Sequence, residues 1–519
     1  MPNLSPTKSR KNIAGLGHAL ESEVDELRVE AFSNASMSQR AQLGQYPTPP
    51  AIARYMAGMF SAKSSSIRVL DPGAGAGSLM TAVVAALCDR KKPPLGITAT
   101  AVELDPHLAI YATKAMRFCK KACDASNIEY SGTVLIGDFI RTAVEMLEDG
   151  LFNDTKRTFN CVILNPPYKK LNTDSKHRHL LRKVGIETSN LYAAFLALSV
   201  MMLEPNGELV AITPRSFCNG PYFRRFRQFF LRNMSLRKIH VFESRSEAFA
   251  DDEVLQENII FHAVKAPIQA KSITVMASSG PNAEPTVREI DADIVIKPGD
   301  PDQFIHIVCG DVGSQVADSM SKLTHSLKDL GLSVSTGRIV DFRSRPCLRR
   351  NPEPGSVPLI YPAHFRDGWI QWPRPGHKKP NACLVNERSK AWLVPAAIHV
   401  LVMRFSAKEE KRRVVGAVFD PARVPCDQVA FENHLNYYHE NGGGLPLALA
   451  KGLAAYLNST IVDTYFRQFS GHTQVNAADL RKLKYPSRLD LEEIGRRIGD
   501  QYPNQGELDF LIESEFMGT

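Results

Sequence analysis

Between Ile67 and Leu164 the chain alternates short apolar runs rich in β-branched residues with longer stretches of helical periodicity. IRVL is followed by SLMTAVVAALCDR, ITATAVEL by PHLAIYATKAMRFCKKA, and TVLIGDF precedes the run NCVIL. Short runs that are apolar throughout belong to strands buried on both faces, and a helix between two such strands supplies the crossover that a parallel pair needs. The alternation predicts βαβ units and a doubly wound parallel sheet, hence the α/β class.

After residue 190 the pattern resumes, with LYAAFLALSVMML as a helix, EPNGE as a turn and LVAITP, KIHVFES and NIIFHAVK as strands. Residues 1–42 are polar except for helical patterning in ALESEVDELRVEAF, which reads as a tail leading into an amphipathic helix. From 266 to 302, SSGPNAEPT and KPGDPDQF mix turn signals with a strand or two and mark a boundary. Beyond it lie all three tryptophans (Trp369, Trp372, Trp392), basic loops such as PRPGHKKP and a helical end from about 446. The expected organisation is a tail and helix over 1–42, an α/β domain over 43–300 and a second, mixed α/β domain over 301–519.

A chain of 519 residues is long enough for such a division. Its longest apolar run, residues 191–203, falls short of the ~18 residues that suggest a membrane span, and the first residues lack a signal-peptide core. We therefore expect a cytoplasmic protein with no membrane partner. The nine cysteines are scattered singly except Cys119 and Cys123, and His177 with His179 and His434 with His439 lack the partners of a zinc site, so no metal is assigned. Net charge is +8. The segment PRSFCNGPYFRRFRQFFLRNMSLRK interleaves Arg215, Arg224, Arg225, Arg227, Arg232, Arg237 and Lys238 with aromatics, a pattern that serves a solvated helix face or a nucleic-acid surface.

Three strand ends carry polar residues suited to one ligand. RVLDPGAGAGSL places Asp71, Gly73, Gly75 and Gly77 between a strand and a helix, where glycines let the backbone turn tightly and approach a ligand. Glu103 ends the second strand, 26 residues after Gly77, near the position of a ribose-binding carboxylate in this topology. Asp138 and Phe139 end the third and can hydrogen-bond and stack an adenine. A nicotinamide dinucleotide suits the first two features, although G-A-G-A-G is not G-x-G-x-x-G.

The fourth strand ends in CVILNPPYKK. Pro166 restricts Asn165 to an extended conformation, and two successive prolines offer no N–H groups to compete for acceptors. With this tetrapeptide the order of motifs resembles the S-adenosylmethionine-dependent DNA adenine-N6 methyltransferases of the gamma class, whose signature is NPPY. The resemblance implies a Rossmann-like S-adenosylmethionine-dependent methyltransferase domain followed by a target-recognition DNA-binding domain. It further implies that Asn165 and the carbonyl of Pro166 accept the two amine hydrogens of the target adenine and that Tyr168 stacks on its ring. Phe223, in preference to Tyr222, is then the opposite face, and the neighbouring arginines contact phosphates. On the cofactor side, Gln45, Tyr46, Thr48 and Pro49 of LGQYPTPP would line the methionine end, joined by the glycine loop, Glu103, Asp138, Phe139 and Asn165.

The loop SKHRHLLRKVGIETSNLYAAF, with PRSFCNGPYF and VFESRSEAFADDEVLQENIIF, looks like the modification enzymes of the PstI and BsuBI type. That likeness implies methylation within CTGCAG, a bacterial restriction-modification system, double-stranded DNA as substrate, a cognate endonuclease as functional partner and monomeric action. Protein-glutamine and RNA adenine methyltransferases share the NPPY logic and stand as alternatives. A cytosine-C5 enzyme needs a nucleophilic cysteine at the fourth strand, whereas the Pro-Cys pairs at 346–347 and 425–426 lie in the other half of the chain. A nuclease built on Glu409 and Lys411 lacks an aspartate to share a magnesium ion.

Overall fold

The computed structural model describes residues 16–33, 47–152, 158–242, 258–280, 283–307, 316, 319–406, 410–469 and 474–516. The chain separates into two compact units, Met1–Ile307 and Val308–Thr519.

In the first unit, β1 (Ser66–Pro72), β2 (Gly96–Glu103), β3 (Glu129–Ile136), β4 (Phe159–Leu164) and β5 (Leu203–Pro214) lie in the order β3-β2-β1-β4-β5, each parallel to its neighbours. Beyond β5 come β7 (Asn258–Lys265), β6 (Met234–Phe242), β8 (Ser272–Ser278) and β9 (Thr286–Asp291), with β7 antiparallel to β5 and β6. Strand order reverses between β1 and β4, the switch point at which doubly wound sheets open a crevice at their carboxyl ends. The unbroken apolar runs follow from this arrangement: every residue of β4 is buried, because helices cover both faces.

The helices of this unit include α1 (Leu16–Ser33), α2 (Pro50–Ala57), α3 (Ser78–Cys88), α4 (Pro106–Ala125), α5 (Phe139–Phe152), α6 (Lys176–Lys183), α7 (Leu191–Met202) and α8 (Arg224–Asn233). Leu20 and Val24 of α1 join the core formed with Ile52 and Met56, while Ala31 and Phe32 pack on Ala76, Leu108 and Tyr111. The helix we expected to stand apart from the α/β domain thus belongs to the same unit, because its apolar stripe needs a surface to cover. Two further differences appear. The EPNGE stretch is absorbed into β5 as an irregularity against β4, with Asn206 at φ 64°. The region read as a boundary contributes β8 and β9 to the sheet, and the units divide after Ile307.

The second unit contains a six-stranded sheet in the order Ser333–Thr336, Leu435–His439, His399–Met403, Gly416–Phe419, Trp369–Ile370, Phe365–Arg366. A five-stranded sheet runs Leu348–Arg349, Ala382–Leu384, Ser356–Ile360, Gln428–Phe431, Leu393–Pro395. Its main core gathers Val400, Val418 and Tyr438 with Leu449, Leu453, Tyr456 and Leu491 of the C-terminal helices. Among the described residues no helix is long and apolar enough to cross a membrane.

Candidate active site

β1 ends at Pro72 and the chain turns through Gly73, Gly75 and Gly77 at φ 76°, 56° and 91° before α3 begins. L-residues are strained in that region. At Gly77 an added Cβ would also lie 3.1 Å from Ala115 Cβ, so the third glycine serves close packing on α4, whereas Gly75 faces open space. The Gly75 N–H donates to Glu103 Oε2 at 2.7 Å and the Asp105 N–H to Oε1 at 2.8 Å. Burial pushes the Glu103 carboxyl up, and these two amides oppose the shift. Asp71 is fully buried and sits apart from the cavity described next; its Oδ2 accepts the Met80 N–H at 3.2 Å, and burial pushes its carboxyl up to about 8. This bond ties the end of β1 to the first turn of α3, across the glycine loop.

At the carboxyl ends of β1 to β4 lies a cavity of about 350 Å³ lined by Thr48, Gly73, Gly75, Glu103, Asp138, Phe139 and Asn165, among others. This volume falls within the range of about 300–1,000 Å³ typical of small-molecule sites. Seven residues singled out in the sequence therefore share one space. Pro49 precedes α2 as its N-cap, Pro166 is buried outside the lining, and Gln45 and Tyr46 lie outside the described residues. Phe139 packs on Phe195 of α7, ring centroids 4.8 Å apart. The lining also includes three side chains that sequence reasoning missed: Arg28 and Phe32 of α1 and His177 of α6. Only the apolar spacing of α1 hinted at any of them.

Asn165 follows the last residue of β4 at the rim of the same cavity. Its Nδ2 donates to Thr48 Oγ1 and its Oδ1 accepts the Tyr168 hydroxyl, both at 3.1 Å. Fixed at both ends, the amide presents a defined acceptor. Tyr168 meets Tyr192 edge-on at 6.1 Å, and Tyr192 stacks on Phe223 at 5.3 Å with 25° between planes. Phe223 is only 8% exposed, while Tyr222 is 82% exposed. Tyr192, whose hydroxyl lies 3.1 Å from Ser216 Oγ, links the two aromatics expected to face each other, and its place in an apolar helix gave no sign of this.

The basic segment divides differently from expectation. Arg215 and Arg227 are buried, so neither is a phosphate contact on an open face. The Arg227 guanidinium donates to the carbonyls of Phe217, Gly220 and Asp302 at 3.0, 2.7 and 3.0 Å, which anchors the turn that carries Phe223. At Gly220 a Cβ would lie 2.6 Å from Ser216 O and 2.9 Å from the Phe223 ring, so the turn closes only around glycine. Replacing Arg227 by Met takes this donor from three carbonyls, of which Gly220 O keeps the Phe223 N–H at 3.1 Å, and we expect a loss on the order of 2 kcal/mol, read as a lowered Tm. A thermal midpoint unchanged from wild type would remove Arg227 from this role.

A profile of the Eco57I restriction-modification methylase family matches residues 115–249. The type II methyltransferase M.PstI of Providencia stuartii is 44% identical over 94% of this chain and 96% of its own length. M.BsuBI of Bacillus subtilis is 42% identical over 94% of this chain and 95% of its own. Among solved structures, the type IIL restriction-modification enzyme MmeI in complex with DNA aligns with 98% of this chain and 76% of its own, with a TM-score of 0.55 and 12% identity, a likeness of fold alone.

Proposed function

Because the chain belongs to the type II methyltransferases of restriction-modification systems, we propose that it methylates the N6 amine of an adenine turned out of duplex DNA. Its cofactor is S-adenosylmethionine, which when bound supplies an electrophilic methyl group. The cavity fits that molecule: Glu103 offers a carboxylate for a ribose diol, Asp138 and Phe139 a polar and an aromatic contact for an adenine, and Thr48 and the Gly73–Gly75 backbone the methionine end.

The observation that carries the reading is the Asn165 amide, held at the rim of this cavity by Thr48 and Tyr168. An exocyclic amine conjugated into a purine is a poor nucleophile. Two fixed acceptors, Asn165 Oδ1 and the Pro166 carbonyl, would draw its hydrogens and turn the nitrogen lone pair toward the methyl carbon, a gain of orientation and electrostatics. The Tyr168 hydroxyl now on Oδ1 has an alternative acceptor in Ile212 O at 3.4 Å, so an incoming amine exchanges one hydrogen bond for another. A base within a duplex cannot reach such a site, which is why flipping is part of the proposal.

Charge supports duplex DNA over a protein acceptor. Residues 338–390 hold eleven Lys and Arg against four Asp and Glu, an excess of seven in a chain whose net charge is +8. Arg343, Arg345, Arg350, Arg366, Lys378 and Arg388 have no carboxylate partner among the described residues. Were six such cations to meet phosphates, affinity for duplex DNA would fall on the order of 10³-fold between 50 and 200 mM salt. Titration of a labelled duplex at several salt concentrations reads that slope, and a flat response would favour a protein-glutamine acceptor.

We take CTGCAG as the site, a cognate endonuclease as functional partner and a monomer as the acting form. Incubation with S-adenosylmethionine and a CTGCAG duplex, followed by mass spectrometry of the digested nucleosides, should yield N6-methyladenine, and a permuted duplex should not. Methylation of both duplexes, or of neither while unmethylated bacterial DNA gains N6-methyladenine, would overturn the site alone; no methylation of any of the three would overturn adenine in duplex DNA as the acceptor.

A further inference from the structure

The segment from Lys169 to Asn190, between the tetrapeptide and α7, contributes Lys169, Lys170, Leu171, Asn172, Ser175 and His177 to the cavity lining. It is closed at its neck: Leu171 N–H donates to Ser189 O and Leu191 N–H to Lys169 O, both at 2.8 Å, around the Lys170–Asn190 bridge. Inside, Arg178 and Arg182 of α6 both pair with Glu187, and Leu181 is fully buried. The segment is thus a lobe with its own internal bonds, closed at its neck, whose helix α6 packs along α5.

At its far side, His177 Nε2 lies 2.8 Å from Asp138 Oδ2, on a wall built by the third strand. A carboxylate only accepts, so Nε2 donates. Asp138 Oδ1 takes the Arg141 N–H at 3.1 Å, which fixes the carboxylate at the start of α5. Each oxygen keeps a second lone-pair direction, so Asp138 can accept the histidine and a ligand amine together. Both side chains line the cavity and are partly exposed, 37% for His177 and 25% for Asp138, so the bond can break and re-form without unburying a charge.

We propose that His177 is a positioning residue that latches the 169–190 lobe to Asp138 across the adenine end of the cofactor, and that this bond sets how long the cofactor stays. This rests on the cavity being the cofactor site. The lobe begins where the NPPY tetrapeptide ends, so closing it over the adenosine also steadies the segment that leads from Tyr168. Loss of the latch should act on cofactor exchange more than on transfer.

The test measures equilibrium affinity and dissociation rate of S-adenosylhomocysteine on the full-length protein, with transfer followed in single turnovers at saturating cofactor. His177→Ala should speed dissociation and raise the cofactor KM by about 3- to 10-fold, the range of a partly exposed hydrogen bond to a charged group, with a smaller change in the transfer rate. His177→Gln, which can still donate, should restore most of the residence time. In the Asp138→Asn background, His177→Ala should add little, because the two act as a pair. Glu103→Ala is the control for the cavity itself and should weaken binding. Unchanged dissociation in His177→Ala beside weakened binding in Glu103→Ala overturns the latch alone. Unaltered binding in Glu103→Ala overturns the cofactor cavity and the latch with it.

Discussion

Asn165→Ala is expected to lower the single-turnover rate of methyl transfer on the order of 10²- to 10³-fold, the loss seen when one preorganised polar group is removed from a reacting centre. The magnitude follows from what the amide does. In the proposed reading its Oδ1 is one of two acceptors for the target amine, and its position is fixed by Thr48 and Tyr168 at 3.1 Å each. Alanine removes the acceptor and the aim together, while Glu103, Asp138 and Phe139 remain in place for the cofactor. Affinity for S-adenosylhomocysteine should therefore change far less than the rate. Asn165→Asp gives the complementary result: it keeps an acceptor but loses the donor to Thr48, so it should retain more transfer than alanine. Near-wild-type turnover in Asn165→Ala would take Asn165 out of catalysis altogether. Equal losses in rate and cofactor affinity would make it a cavity wall.

The parts of this site that could be read from sequence are those that depend on neighbours along the chain. Strand, glycine turn and helix are consecutive, so Gly73, Gly75 and Gly77 announce themselves; Glu103, Asp138 and Asn165 are each marked by the apolar run they terminate. Parallel strands in one sheet then bring their carboxyl ends together without further information. Contacts that depend on distant segments left no local mark. His177 sits in a polar, basic loop, and its approach to Asp138 spans 39 positions. Arg227 looks like its basic neighbours, yet its guanidinium is buried against the carbonyls of the turn below it, and burial pushes its pKa down to about 10. A sequence gives the charge of such a residue but not the side of the helix that the core selects.

Phe223→Ala is expected to weaken capture of the target base by about 5- to 150-fold, corresponding to the ~1–3 kcal/mol attributed to one base–aromatic stack. Phe223 has one face on Tyr192, at 5.3 Å and 25°, so in the proposed reading a base settles on its other face. Tyr192 acts as a backing plate: it is itself buried, 2% exposed, and bonded to Ser216 through its hydroxyl. A ring supported from behind loses little side-chain entropy when a base settles on it, which favours Phe223 over the neighbouring Tyr222, whose 82% exposure leaves it unsupported. A fluorescent adenine analogue at the target position reports flipping directly. Phe223→Ala should reduce its signal and leave cofactor affinity near wild type, and Tyr222→Ala should do neither. If Tyr222→Ala instead abolishes the signal while Phe223→Ala preserves it, the exposed ring is the one that meets the base, and the Phe223–Tyr192 stack belongs to the core of the turn that Arg227 anchors.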